Sequence, residues 1–146
     1  MKKRISILAN IIIPLMVGAE FYLAASPDVI FVKAVGSFWG MPEYIGHVGA
    51  EGGCLQLMRY YMLDALWAYA LVFALYFVIG NNAARVRVAF LIAICFSTFM
   101  EVIQLIPTIP GIFDYLDILV EALAEAVAAF IIKIHYEEAW NICETK

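Results

Sequence analysis

Between Thr98 and Glu125 the chain sets Glu101, Gln104, Asp114, Asp117, Glu121 and Glu125 into two apolar segments joined by a short turn, PTIPG, at 107–111. Asp114, Asp117, Glu121 and Glu125 are spaced i, i+3, i+7 and i+11, which places them on one stripe of a helix. Glu101 and Gln104 are spaced i, i+3 and share a face of the preceding helix. A turn this short makes the two helices antiparallel neighbours, and the simplest packing points both polar faces inward. Carboxylates this close in a dry site cannot all stay ionised, because desolvation and like-charge repulsion both oppose it. Three chemistries answer that conflict. A hard divalent cation (Mg, or Ca or Mn) is held by Glu101, Asp117 and Glu121, since oxygen-only ligands suit these ions rather than Zn. Alternatively, one carboxyl stays protonated as an acid while another serves as base. In the third, Arg59 pairs with one of them.

The elements around these acids must be membrane helices. The chain has 146 residues, 65% of them hydrophobic, and a mean hydropathy of +0.90. Soluble domains are nearer half apolar, and an ionisable group in a membrane segment is a functional candidate by default. The formal charge of −4 leaves no basic face for phosphate backbones, so nucleic acid is not an expected partner. Apolar runs predict four spanning helices at about 5–25, 62–80, 88–106 and 115–134, in one domain over 1–146. The first could be read as a signal peptide, with MKKR ahead of the apolar run and Ala24, Ala25 and Ser26 near its end. Its length of about 20 residues, and Glu20 within it, favour a retained helix. The connection at 26–61 carries six glycines and two prolines and reads as an outer loop with interfacial aromatics. The expected fold is therefore all-α, a polytopic four-helix transmembrane bundle with a Gly-rich outer loop between helices 1 and 2.

Basic residues orient it. With the N-terminus in the cytoplasm, Lys2, Lys3, Arg4, Arg85, Arg87, Lys133 and Lys146 lie inside, and only Lys33 and Arg59 lie outside. Both termini are then cytoplasmic, and every helix offers a carboxylate in the outer part of the bilayer: Glu20, Asp64, Glu101, and the set from Asp114 to Glu121. Glu101 is expected about 7–8 Å deep, five residues before the end of its helix, and Glu121 about 6 Å deeper than Asp117. Structural readings stand beside the functional ones. Asp64 and Asp114, and also Asp117, suit helix N-caps or first turns. Glu20 can snorkel to the headgroups, and Glu125 can act as packing glue. Glu101 and Glu121 sit at no helix end and resist such explanations. Arg59, beside Tyr60 and Tyr61 at headgroup level, is suited to a lipid phosphate. His47 and His135, like Cys54 and Cys143, are expected on opposite sides. With no CxxC pattern, Zn or a disulfide framework does not follow.

These residues resemble the VanZ-like family of small bacterial membrane proteins, named for teicoplanin resistance. Three pieces carry the resemblance. Asp64-Ala-Leu-Trp-Ala-Tyr-Ala-Leu begins a helix. Met100-Glu101-Val102-Ile103-Gln104 is similar to the family's E-x-x-Q, and Gly111-Ile-Phe-Asp114-Tyr-Leu-Asp117-Ile-Leu is similar to its D-x-x-D. Family members often carry Asn and then Gly after the D-x-x-D. Here that stretch reads Glu121-Ala-Leu-Ala-Glu125, and the arginine common in the loop between helices 3 and 4 is absent. The resemblance implies a multi-span protein of the bacterial plasma membrane, with an antibiotic-resistance link for some members.

The expectation is an outward-facing pocket that binds or modifies an envelope lipid, a lipid-linked cell-wall precursor or a lipophilic glycopeptide. Glu101, Asp117 and Glu121 form its reactive core. Arg59, Asp64, Gln104 and Asp114 bind the ligand around it. No Ser/His or Cys/His nucleophile pattern is visible, so any reaction there is a metal-assisted transfer or hydrolysis at a phosphate or acyl group. Two other classes stay open. One is a small ion- or proton-coupled transporter using Glu101, Glu121 and Glu125 as a relay. The other is a non-catalytic accessory subunit whose acids only fix helix packing.

Overall fold

The computed structural model of the chain describes residues 2–25, 53–80, 83–106, 108 and 113–137. It is all-helical, with no strand among the described residues. The helices are α1 (Lys2–Ala25), α2 (Gly53–Ile79), α3 (Ala83–Ile103) and α4 (Tyr115–Ile132), and a π-helical turn, Lys133–Glu137, follows α4. Three stretches are long and apolar enough to cross a membrane: Lys3–Phe21, Tyr61–Ile79 and Arg85–Ile103. They fit a multi-pass membrane protein. Helix α4 is equally apolar except for Asp117, Glu121 and Glu125.

The helix boundaries differ from the expected ones in three places. Helix α2 begins nine residues early, at Gly53, so the end of the expected 26–61 loop is helical. The sequence CLQLMRYY after Gly53 contains good helix formers and no breaker, and the glycines upstream outweighed it in the sequence reading. The rest of that loop lies outside the described residues, as does His47. The turn expected at Asn81–Arg87 is also shorter, because α3 starts at Ala83. Helix α2 ends cleanly at Gly80, whose φ of 102° is the left-handed conformation that glycine adopts without a Cβ penalty. Arg85 Nη1 donates to the Ile79 carbonyl at 2.8 Å and satisfies one of the last α2 acceptors. Finally, α3 closes at Ile103 rather than 106. The chain tightens there into i→i+3 hydrogen bonds, from Gln104 N to Glu101 O, Leu105 N to Val102 O and Ile106 N to Ile103 O, each 3.1 Å.

Consecutive helices run antiparallel. Ile7, early in α1, shares one buried cluster with Phe73 and Tyr76 late in α2, Val86 and Ala89 early in α3, and Ala128 and Ile132 late in α4. Helix α2 is central and packs against the other three. Small buried residues, Ala68, Ala70, Ala89, Ala93 and Ala128, let the backbones approach. Gly18 does the same between α1 and α2, since a Cβ there would lie 3.2 Å from Leu63 Cδ1.

The outer surface is apolar. Ile12, Ile13, Val78, Leu91, Phe99, Leu119, Leu123 and Phe130 are all exposed, while Ser97, Glu101, Glu121 and Glu125 are buried. Water-soluble proteins arrange these classes the other way round. The two ends of the bundle also differ in charge. Lys2, Lys3 and Arg4 at the start of α1, Arg85 and Arg87 at the start of α3, and Lys133 after α4 lie at one end; Glu20, Asp64, Glu101, Asp114, Asp117 and Glu121 lie toward the other.

The basic end is closed by a polar network. Lys3 Nζ donates to the Tyr136 carbonyl. Ser6 Oγ and Tyr136 Oη are 2.7 Å apart, and Tyr69 donates to Asn10 Oδ1 at 2.8 Å. Asn10 Nδ2 reaches both the Ser6 carbonyl and Tyr136 Oη. These bonds tie the π-helical turn and α2 to α1.

Candidate functional site

The inward stripe of α4 is Glu121, Glu125, Ala128 and Ile132. The inward stripe of α3 is Val86, Ala89, Ala93, Ser97 and Glu101. Each stripe is apolar toward the basic end and polar toward the other. The carboxylates therefore extend the core-facing side of the helices rather than forming a separate polar face. Antiparallel packing brings the two polar halves together. Asp64, on the first span-length turn of α2, joins them from the third side.

Each acid is held differently. Asp114 is the N-cap of α4, with extended backbone (φ −130°, ψ 121°), and its Oδ1 accepts the Leu116 amide at 2.9 Å. Its Oδ2 accepts the Tyr61 hydroxyl at 3.3 Å, which ties the start of α2 to the start of α4. Of the four residues expected to bind ligand, Asp114 thus has structural work already, and its carboxylate is largely committed. Gln104 Nε2 donates to Glu101 Oε1 at 2.9 Å, as the i, i+3 spacing implied. Glu101 lies two residues from the end of α3 instead of five, because the last expected turn is the tightened segment through Ile106. Glu101 is still 92% buried at that shallow position (8% exposed), with Asp117 and Asp114 as its charged neighbours.

Glu121 is the centre. It is 4% exposed, its Oε2 accepts no hydrogen bond among the described residues, and the charges of Asp64, Glu101, Glu125 and Asp117 all bear on it. Asp64 in turn faces Asp117 and Glu101. The expected core of Glu101, Asp117 and Glu121 is thus brought together, with Asp64 beside it. Glu125 lies one turn deeper with no exposed surface, and its Oε1 accepts Ser97 Oγ at 2.7 Å. In Glu101, Glu121 and Glu125 the second carboxyl oxygen, Oε2, is sealed from solvent and has no partner.

Glu20 is exposed on α1 and makes no contact with the cluster. Arg59 falls on the early turns of α2, and its side chain lies outside the described residues. Among the described residues, no lysine, arginine or histidine pairs with the clustered acids. Nor do any three acid, histidine or cysteine side chains among them converge as a metal centre requires. Glu101, Asp117 and Glu121 are neighbours by the mutual effect of their charges.

Sequence reasoning missed two participants, Ser97 and Tyr61. The signal for Ser97 was available: it lies one turn before Glu101, on the same face of α3. Tyr61 carried no such signal, because its partner Asp114 is brought to it only by tertiary packing.

No family model, no curated protein and no solved structure matches the chain. The site's chemistry therefore rests on its own geometry.

Proposed function

We propose that the chain is a four-span protein of the bacterial plasma membrane whose acidic pocket faces outward and binds an envelope lipid, a lipid-linked cell-wall precursor or a lipophilic glycopeptide. The observation that carries this reading is Glu121: 96% buried, its Oε2 unpartnered among the described residues, with Asp64, Glu101 and Asp117 as charged neighbours. A buried polar group without a partner costs about 1–3 kcal/mol. A chain retains that cost at sites that act on something. The resemblance to the VanZ-like family supports the same reading, since Asp64, Glu101, Gln104, Asp114 and Asp117, which carry it, gather at one end of the bundle.

The fourth span has its own support. Leu119, Leu123, Val127 and Phe130 are exposed on the outer side of α4 while its acids face inward, so lipid would meet only an apolar face. The 18-residue helix is about 27 Å long, close to the hydrocarbon thickness of ~30 Å. The basic end belongs in the cytoplasm by the usual distribution of Lys and Arg, which turns the pocket outward.

Binding is the reading carried forward, because the unpartnered buried carboxyl of Glu121 is an acceptor that a ligand can satisfy. A transporter is the second reading. It is favoured by Glu125, which continues the carboxylate line to a depth of about 15 Å from the start of α4. Beyond it, Ala128 and Ile132 close the path with the apolar cluster.

The test is a bacterial host producing the chain and challenged with a lipophilic glycopeptide. The wild type should lower susceptibility, and Glu101→Gln and Glu121→Gln should abolish that effect at unchanged protein level. Full protection by both variants would sink the pocket reading. Comparison of envelope lipids with and without the protein then separates sequestration from modification.

A further inference from the structure

Resting on that pocket, we propose that it recognises its ligand through a primary ammonium group. Three observations lead there. Asp64, Glu101 and Asp117 lie near enough to Glu121 for their charges to bear on it, and Glu121 is 96% buried with its Oε2 unpartnered among the described residues. The sealed and unpartnered atoms are all acceptors: Oε2 of Glu101, Glu121 and Glu125. No cationic side chain among the described residues neutralises any of them. Among the described residues, carboxylates that keep unpartnered acceptors and meet no counter-charge ask for a donor that carries positive charge.

The arrangement also discriminates among cations. A divalent metal ion needs several oxygens within about 2.0–2.6 Å of one point, and the described acids do not converge in that way. An ammonium group has three separately directed N–H donors, and each reaches an acceptor at roughly 2.8 Å. Carboxylates facing a site from different helices suit that demand better. A proton alone would neutralise one carboxyl but would leave the remaining acceptors without donors.

Depth sets the kind of molecule. Glu121 lies six residues beyond the start of α4, about 9 Å along the helix, below the level of Asp114 and Tyr61. A freely hydrated small amine gains little by leaving water for such a site. An amine carried on an acyl or isoprenoid chain is already held at the headgroup boundary and reaches it with little further desolvation. The ligand class is thus a lipid-borne or lipophilic primary amine.

The experiment uses the full chain purified into nanodiscs of phosphatidylglycerol, with thermal unfolding as the readout. Dodecylamine, dodecanol and dodecyl phosphate are titrated in parallel, so that chain length is constant and only the head changes. Dodecylamine should raise the melting temperature saturably, and dodecanol should not. Glu121→Gln should weaken the dodecylamine midpoint by about tenfold, as expected for one lost charge-assisted hydrogen bond. Asp117→Asn, at a half-buried position near the pocket mouth, is the second variant and should weaken it as well. Loss of dodecylamine protection in nanodiscs containing phosphatidylethanolamine would assign the natural source to bilayer lipid. Unchanged protection there would assign it to a free lipophilic amine; both support the ammonium inference.

Equal protection by dodecylamine and dodecanol would overturn it. So would indifference to both variants, or a Glu121-dependent stabilisation by millimolar Mg2+ or Mn2+ with none by amine. Protection by dodecyl phosphate that is lost in Arg59→Ala, with none by dodecylamine, would overturn the ammonium inference while leaving the pocket standing as an anion site at its rim. The cell challenge above tests the pocket separately.

Discussion

Glu121 and Glu125 lie one turn apart on the same face of α4, and the structure treats them differently. Glu125 has Ser97 as a donor at 2.7 Å, whereas Glu121 has none. Their substitutions should therefore move stability in opposite directions. Glu121→Leu removes a partnerless buried carboxyl and keeps the volume, so it should stabilise the protein by about 1–3 kcal/mol while abolishing ligand binding. Thermal unfolding of the purified protein checks this, and a clear loss of stability would make Glu121 a packing residue after all. Glu125→Ala should destabilise by about 2–4 kcal/mol, because it opens a cavity and strands the Ser97 hydroxyl. Glu125→Gln keeps the acceptor and should cost under about 1 kcal/mol. A double-mutant cycle with Ser97→Ala should show a coupling of about 1–2 kcal/mol if the hydrogen bond is the reason. At this scale the sequence was informative where spacing alone fixes a neighbour. Gln104 bonding Glu101 and the inward stripe of α4 both follow from helical periodicity. The Asp114–Tyr61 bond does not, because 53 residues separate the partners and only the packing of α2 on α4 joins them.

Among the elements, the existence of all four helices was legible in apolar run length, and their boundaries were not. Glycine density concealed the first turns of α2, and the shift from α-helix to i→i+3 bonding at Gln104–Ile106 left no mark in composition. Gly18 lets α1 approach α2 closely. A side chain at Gly18 would press on Leu63, and on Leu66 just beyond it. Gly18→Leu should separate the two helices and cost about 1–3 kcal/mol, seen as a lower unfolding temperature. It should leave amine binding intact at low temperature, because the acids sit on α2, α3 and α4. If Gly18→Leu abolished binding without loss of stability, α1 would belong to the site, and the exposed position of Glu20 would need another explanation.

For the whole molecule, everything functional depends on which way the bundle faces and on whether α4 crosses with the other helices. The sequence offered an orientation through its basic residues, and the structure adds that the clustered acids sit at the end opposite Lys2, Lys3, Arg4, Arg85, Arg87 and Lys133. The decisive measurement is chemical access from one side. Cys54, Cys95 and Cys143 are first replaced by serine, and single cysteines are then introduced at Thr108, Leu123 and Lys133. Thr108 is exposed beside the acidic end, Lys133 is exposed at the basic end, and Leu123 is exposed on the apolar side of α4 about halfway along it. In intact cells a membrane-impermeant maleimide should label Thr108→Cys and leave Lys133→Cys unmodified until the membrane is opened. Leu123→Cys should resist labelling in both conditions, because a thiol within hydrocarbon reacts poorly with a charged reagent. The reverse pattern at 108 and 133 would turn the pocket to the cytoplasm, where an extracellular glycopeptide has no access to it. Ready labelling at 123 would take α4 out of the bilayer and leave Glu121 and Glu125 in a water-facing helix. Their burial against α2 and α3 argues against that arrangement: an α4 facing water would expose Leu119, Leu123, Val127 and Phe130 together, an apolar strip that a soluble surface does not tolerate but lipid does.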